Sequence, residues 1–172
     1  PEDFRKAAPK AQQTLWREKA LDAAKGADLY SVMDLYVETK EWERLVELVR
    51  GTTDVALENL SHYVTEPAAE KLEKNYPGPS ARLWQAQALR IVDAGKSRYY
   101  AAAIANFKRA KNCFERAGLA GEWERTVAEV RSAHYRKLGL MRDFEAVARG
   151  ESTAQPSFLE NAKAKWHGKG KA

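Results

Sequence analysis

Three histidines and a single cysteine are the side chains of this sequence best suited to metal binding or nucleophilic chemistry, and their spacing favours neither. His62, His134 and His167 stand far apart, and none belongs to an HExxH or HxH pair that would set two ligands on one face. Glu58 and His62 lie four residues apart, a spacing at which one helix face could hold a metal between them. Two ligands without a third are weak support, so an i,i+4 polar pair is the favoured reading. Cys113 sits between Asn112 and Phe114, where a small buried thiol is expected. To act as a nucleophile it would need a nearby base or cation, and Lys111 and His134 are the candidates. Gly118 and Gly121 flank a turn between helices rather than a phosphate. The closing Gly168-Lys169-Gly170-Lys171 lacks the preceding strand and following helix of a phosphate-binding loop. The expectation is a non-enzymatic chain with no cofactor and no metal site.

Charge is the other chemical signal. The net charge is +5, but residues 1–78 carry eleven Lys/Arg against fifteen Asp/Glu, and residues 79–172 carry eighteen against nine. Lys108, Arg109, Lys111, Arg116, Arg131, Arg136 and Lys137, joined by Arg98 and Arg125, fall on two consecutive expected helices. Arg109 and Arg116 are seven apart and share a face, so this is a candidate surface for an acidic partner or nucleic acid. Glu115, Glu122, Glu124 and Glu129 interrupt it, and no exposed aromatic pattern suggests base stacking. A solvated helix surface with a basic tail is the favoured reading.

These residues need elements to carry them. Hydrophobic residues make up 44% and charged ones 31%, which suits a folded, water-soluble chain and not a wholly disordered one. The longest apolar run, Tyr99 to Ala105, falls far short of the ~20 residues of a membrane helix, so no membrane partner is expected. The first twenty residues contain no signal-type apolar stretch, and one cysteine excludes an internal disulfide or a multi-cysteine zinc site. Beginning at Pro1, the chain reads as a fragment or a processed product. Gly26, Gly51, Gly95, Gly118, Gly139 and Gly150 each follow a helically spaced stretch. Thr53, Ser80 and Ser97 can cap helices, and Pro67 fits a first helical position. No window alternates in the manner of a strand. The chain is therefore expected to be all-α, with helices over 9–24, 28–38, 41–50, 54–64, 67–75, 80–93, 98–117, 120–138 and 142–148. Asn75-Tyr76-Pro77-Gly78-Pro79 reads as a non-helical corner within a helical-repeat domain of residues 1–150. Residues 151–172 read as a partly disordered basic tail, with a short helix over 156–166 using Phe158, Leu159, Ala162 and Trp166.

An internal echo refines the fold. Glu41-Trp42-Glu43-Arg44 recurs as Glu122-Trp123-Glu124-Arg125, each copy leading into an amphipathic helix. Leu29, Val32, Met33 and Tyr36 precede the first copy, and Leu45, Val46 and Val49 follow it, at the offsets of a tetratricopeptide repeat. The register returns at Tyr100, Ala103, Ile104, Phe107 and Ala110, behind Trp84, Ala88 and Ile91. It returns again at Trp123, Val127, Val130 and Ala133, and more weakly at Phe144 and Val147 behind Tyr135 and Leu138. The anchoring rings fall 58, 23 and 21 residues apart, so the regular period of about 34 is not kept. The expectation is a tetratricopeptide-like irregular α-solenoid of about nine antiparallel helices, with Trp42, Trp84 and Trp123 at helix seams. Such a stack presents its outer surface to a protein or peptide partner, or to the rest of its own chain, with nucleic-acid association through the basic half as the alternative.

Tyr99-Tyr100-Ala101-Ala102-Ala103-Ile104-Ala105-Asn106-Phe107-Lys108-Arg109-Ala110-Lys111, then Cys113 to Leu119 and Glu122-Trp123, resembles the helical C-terminal region of bacterial SWIM zinc-finger proteins. Leu83-Trp84, Ala88-Leu89-Arg90-Ile91, His134-Tyr135-Arg136-Lys137 and Pro156-Ser157-Phe158-Leu159 are similar to the same region, so the likeness spans roughly residues 80–166. The resemblance implies an interaction region of a bacterial cytoplasmic protein of unknown function. The zinc motif of that family needs three cysteines and a histidine. With one cysteine, this chain carries over no metal ligand, and zinc would belong to a finger upstream of Pro1.

Overall fold

The computed structural model describes residues 28–151, and all regular structure among them is helical. In chain order the helices are α1 (Leu29–Glu38), α2 (Trp42–Gly51), α3 (Asp54–Glu58), α4 (His62–Leu72), α5 (Pro77–Ala94), α6 (Tyr100–Arg116), α7 (Ala120–His134) and α8 (Leu138–Ala148). A short 3₁₀ turn, Ser97–Tyr99, leads into α6. That is eight α-helices among the described residues. The helices expected over 9–24 and 156–166, with Trp16, Trp166, His167 and Gly26, lie outside them.

Several boundaries follow the expected chemistry. Thr53 accepts a hydrogen bond from the Ala56 amide at 3.3 Å and caps α3, while Asp28 and Ser61 cap α1 and α4 in the same way. Gly95 and Gly118 close α5 and α6 with φ of 71° and 72°, where a Cβ would be strained. Other boundaries differ. The helix expected over 54–64 breaks after Glu58, because Ser61 offers a fresh N-cap. Pro67 consequently sits inside α4 and not at its start. Its missing N–H forfeits one bond, to the carbonyl of the exposed Tyr63, while Pro67 itself is half-buried.

The expected corner at 75–79 is shorter than the sequence suggests. Pro77, Gly78 and Pro79 form the first turn of α5, where amides have no intrahelical acceptor to lose. Gly78 lacks the Cβ that would otherwise clash ahead of Pro79. Ser80 therefore caps nothing; it is buried inside α5, and its hydroxyl donates to the Ala69 carbonyl at 2.8 Å. At the far end, α7 stops at His134 and α8 begins at Leu138, so Gly139 lies within α8. Gly51 likewise ends inside α2, whose cap is Thr52 donating to the Leu48 carbonyl at 2.6 Å.

Helix α5 is the centre of the packing. Helices α2, α3, α4 and α6 all lie against it; α1 packs on α2 and α4, and α7 and α8 pack on α6 and on each other. One apolar core runs throughout, from Met33, Leu45 and Leu72 through Trp84 to Phe107 and Phe144. The repeated register decides what enters it. Behind Trp42 and Tyr100 the residues at +3, +4 and +7 are buried: Leu45, Val46 and Val49; Ala103, Ile104 and Phe107. Behind Trp123, Val127 and Val130 are buried, with Thr126 at +3 beside them, but Ala133 of the expected register is exposed. Trp84 and Trp123 are buried at the seams, and Trp42 is half-buried against the core. Phe107 meets Phe144 edge-on at 4.9 Å and Trp123 at 6.4 Å, locking α6, α7 and α8 together. The weak fourth echo fails in part. Phe144 and Val147 are buried, but Tyr135 and Leu138 are exposed.

Candidate interaction surface

The seven cations of the candidate surface do not form one stripe. On α6, Arg109 and Arg116 turn towards α4, while Lys111 reaches α8. The Arg109 guanidinium lies 4.0 Å over the Trp84 ring and pairs with Glu73 at 3.4 Å and Glu70 at 3.8 Å. Trp84 donates its indole N–H to the same Glu73 at 3.1 Å, so the buried ring has its polar edge satisfied. Lys108 is exposed on the solvent side of α6. Arg131 grips Glu145 with two bonds of 2.7 Å, and that fork holds the Glu145 carboxyl below the usual range. Arg136 bonds the Tyr135 hydroxyl at 2.9 Å. Of the two further cations, Arg125 pairs with Glu122 at 2.9 Å and Arg98 lies over Tyr99.

The remaining cations serve helix ends. Carbonyls of a last turn have no intrahelical donor and carry the negative end of the helix dipole, so a cation reaching them is stabilised twice. Lys137 donates to the Val92 carbonyl of α5 at 2.6 Å, Lys111 to Val147 of α8 at 3.1 Å, and Arg116 to Lys74 beyond α4 at 3.1 Å. Two arginines of α5 that sequence reasoning passed over do the same. Arg82 donates to the Val49 and Thr52 carbonyls at the end of α2 while pairing with Asp54, and Arg90 donates to the Leu60 carbonyl after α3. Much of the basic half is thus internal bracing.

The nucleophile and metal candidates disperse. Cys113 is buried, with the Ser80 hydroxyl 4.0 Å from its sulfur. Burial first, then the Glu73 charge, pushes its thiol above the ordinary value. Lys111 is committed to α8, and His134 faces Asp93 at 3.0 Å, so neither serves the thiol. Glu58 ends α3 and His62 opens α4, so they share no helix face, and His62 stacks on Tyr63 at 4.2 Å. Burial raises the Glu58 carboxyl, with Asp93, Asp54 and Glu129 adding to it. Among the described residues no three His, Cys, Asp or Glu side chains converge as a metal site, and no helix is long and apolar enough to cross a membrane.

No family model, curated protein or solved structure matches this chain.

One surface that the sequence did not single out remains. Between α7 and α8 runs a shallow groove of about 530 Å³, lined by Arg131, Tyr135, Leu138, Met141, Arg142, Glu145 and Arg149. Leu138 is 78% exposed and Tyr135 59% exposed, and both line the groove. Arg142 pairs with its neighbour Asp143 at 3.2 Å, and Arg149 with Glu151 at 2.9 Å. The available signal was Leu138 directly after Lys137, at the first position of a helix whose core residues begin only at Leu140.

Proposed function

We propose that this chain is a non-catalytic helical-repeat module that docks a protein or peptide partner on its outer surface. The observation that carries the reading is the exposed pair Tyr135 and Leu138 beside the α7–α8 groove. Apolar side chains left clustered on a surface cost free energy unless something covers them. Tetratricopeptide-like stacking in an irregular solenoid belongs to the same reading and is supported by the shared burial behind Trp42, Tyr100 and Trp123. So does a place as the helical region of a SWIM-type cytoplasmic protein, a likeness carried by residues 80–166. Nucleic-acid binding loses support, because Arg109, Lys111, Arg116, Arg131 and Lys137 are already engaged inside the molecule.

A photo-crosslinking amino acid placed in turn at Leu138, Leu119, Val55 and Tyr63, all exposed, tests the reading in cells that make the protein. A discrete protein adduct from any of these faces is expected. Folded variants that give none from every face would overturn the reading.

A further inference from the structure

We infer that the α7–α8 groove receives an acidic amphipathic helix supplied by a partner protein. This rests on the interaction-module reading and names the partner's chemistry. Leu138, Met141, Arg142 and Glu145 stand at i, i+3, i+4 and i+7, so they line one face of α8, and the cap residue Arg149 continues that line past its end. Eleven helical residues span about 16 Å, enough for roughly three turns of a second helix laid alongside. The groove offers an apolar centre in Leu138, Tyr135 and Met141. A helix with apolar residues at i, i+3, i+4 and i+7 fills such a centre.

The border of the groove sets the charge of its occupant. Glu145 is neutralised by the Arg131 fork. Among the described residues Arg136, beside Tyr135, has no carboxylate partner, and Arg142 and Arg149 make solvent-exposed pairs with their sequence neighbours Asp143 and Glu151. Exposed pairs of that kind are worth little and exchange readily for a partner's carboxylates. The chain's own residues 152–172 follow Glu151 in sequence. They carry four lysines against one glutamate, so their charge matches that of the groove and does not complement it.

The test uses the full chain and two labelled helical peptides of about fifteen residues with the same leucine face, one flanked by glutamates and its twin by lysines. Fluorescence anisotropy is expected to show the glutamate peptide binding at least about tenfold more tightly than its twin at low salt. Leu138→Asp, at an exposed first helical position that favours an acid, should fold normally and weaken binding by about tenfold. Reversing the border with Arg142→Glu and Arg149→Glu should make the lysine peptide the better ligand. Equal binding of the twins, indifference to Leu138→Asp, or a random duplex displacing the glutamate peptide would overturn the inference. So would a peptide of residues 152–172 that competes for the groove while truncation after Glu151 tightens peptide binding. If the peptides fail but crosslinks at Val55, Tyr63 or Leu119 capture a partner, the module reading stands and only this site falls.

Discussion

Arg82 shows what one side chain does at a helix end. Its side chain is three-quarters buried, and its guanidinium donates to the Val49 and Thr52 carbonyls and pairs with Asp54 at 2.7 Å. Removing it with Arg82→Met strands two carbonyls and should cost about 2 kcal/mol, read from denaturant melts. Arg125→Met, which breaks only an exposed pair with Glu122, should stay within about 0.5 kcal/mol. Glu58 acts in the opposite sense. Its carboxyl is raised by burial, and Asp93, Asp54 and Glu129 raise it further, so the fold favours the protonated form. Stability from that group is present below the ordinary carboxylate range and is lost as pH rises through the raised value. Glu58→Gln, permanently neutral, should therefore melt higher than the parent at pH 7, and the gap should close on acidification. A gap that is unchanged at low pH, or reversed in sign, would contradict this account. The one thiol, Cys113, should resist a disulfide reagent in the native chain and react fully once unfolded.

At the scale of the element, glycine position separates helix ends from helix interiors. Gly95 closes α5 at φ 71°, whereas Gly139 lies in the first turn of α8 with open space where a Cβ would stand. Gly139→Ala should stabilise by about 0.5–1 kcal/mol and Gly95→Ala should destabilise by about 1 kcal/mol, a difference in sign that thermal melts resolve. Sequence spacing treated the two alike, because a glycine after a helical stretch looks the same whether it ends that helix or opens the next. Pro77 and Pro79 misled for a related reason. A proline breaks a helix interior but costs nothing in a first turn, and only the placement of Tyr76 at the N-cap tells which applies. The inward faces were legible, because a ring followed by small or aliphatic residues at +3, +4 and +7 can be buried in only one helical register. The candidate surface was not. Which cations stay free depends on carbonyls 30 to 45 residues away, and Leu138 is exposed only because α8 starts before it can turn inward.

Across the whole molecule, α5 decides whether the chain unfolds in one step or two. The net acidic and net basic stretches meet at residues 78 and 79, in the first turn of α5, which would mark separable halves if charge alone defined a domain. The packing argues otherwise. Helices α2, α3 and α4 cover α5 from one side and α6 from the other, and Trp84 stands at that junction, bonded to Glu73 before it and stacked under Arg109 after it. A half cut before Pro77 would leave α5 with its Leu83 and Trp84 face uncovered, an exposure of about 1.5–3 kcal/mol per large side chain. Unfolding should therefore be a single transition. Fluorescence of a chain retaining only Trp42 and of one retaining only Trp123 should trace coincident melts. Leu83→Ala in both backgrounds, costing about 2–5 kcal/mol, should move both melts down together. If the Trp123 melt shifts while the Trp42 melt holds, α5 does not couple the halves, and the groove between α7 and α8 would then report on the C-terminal half alone.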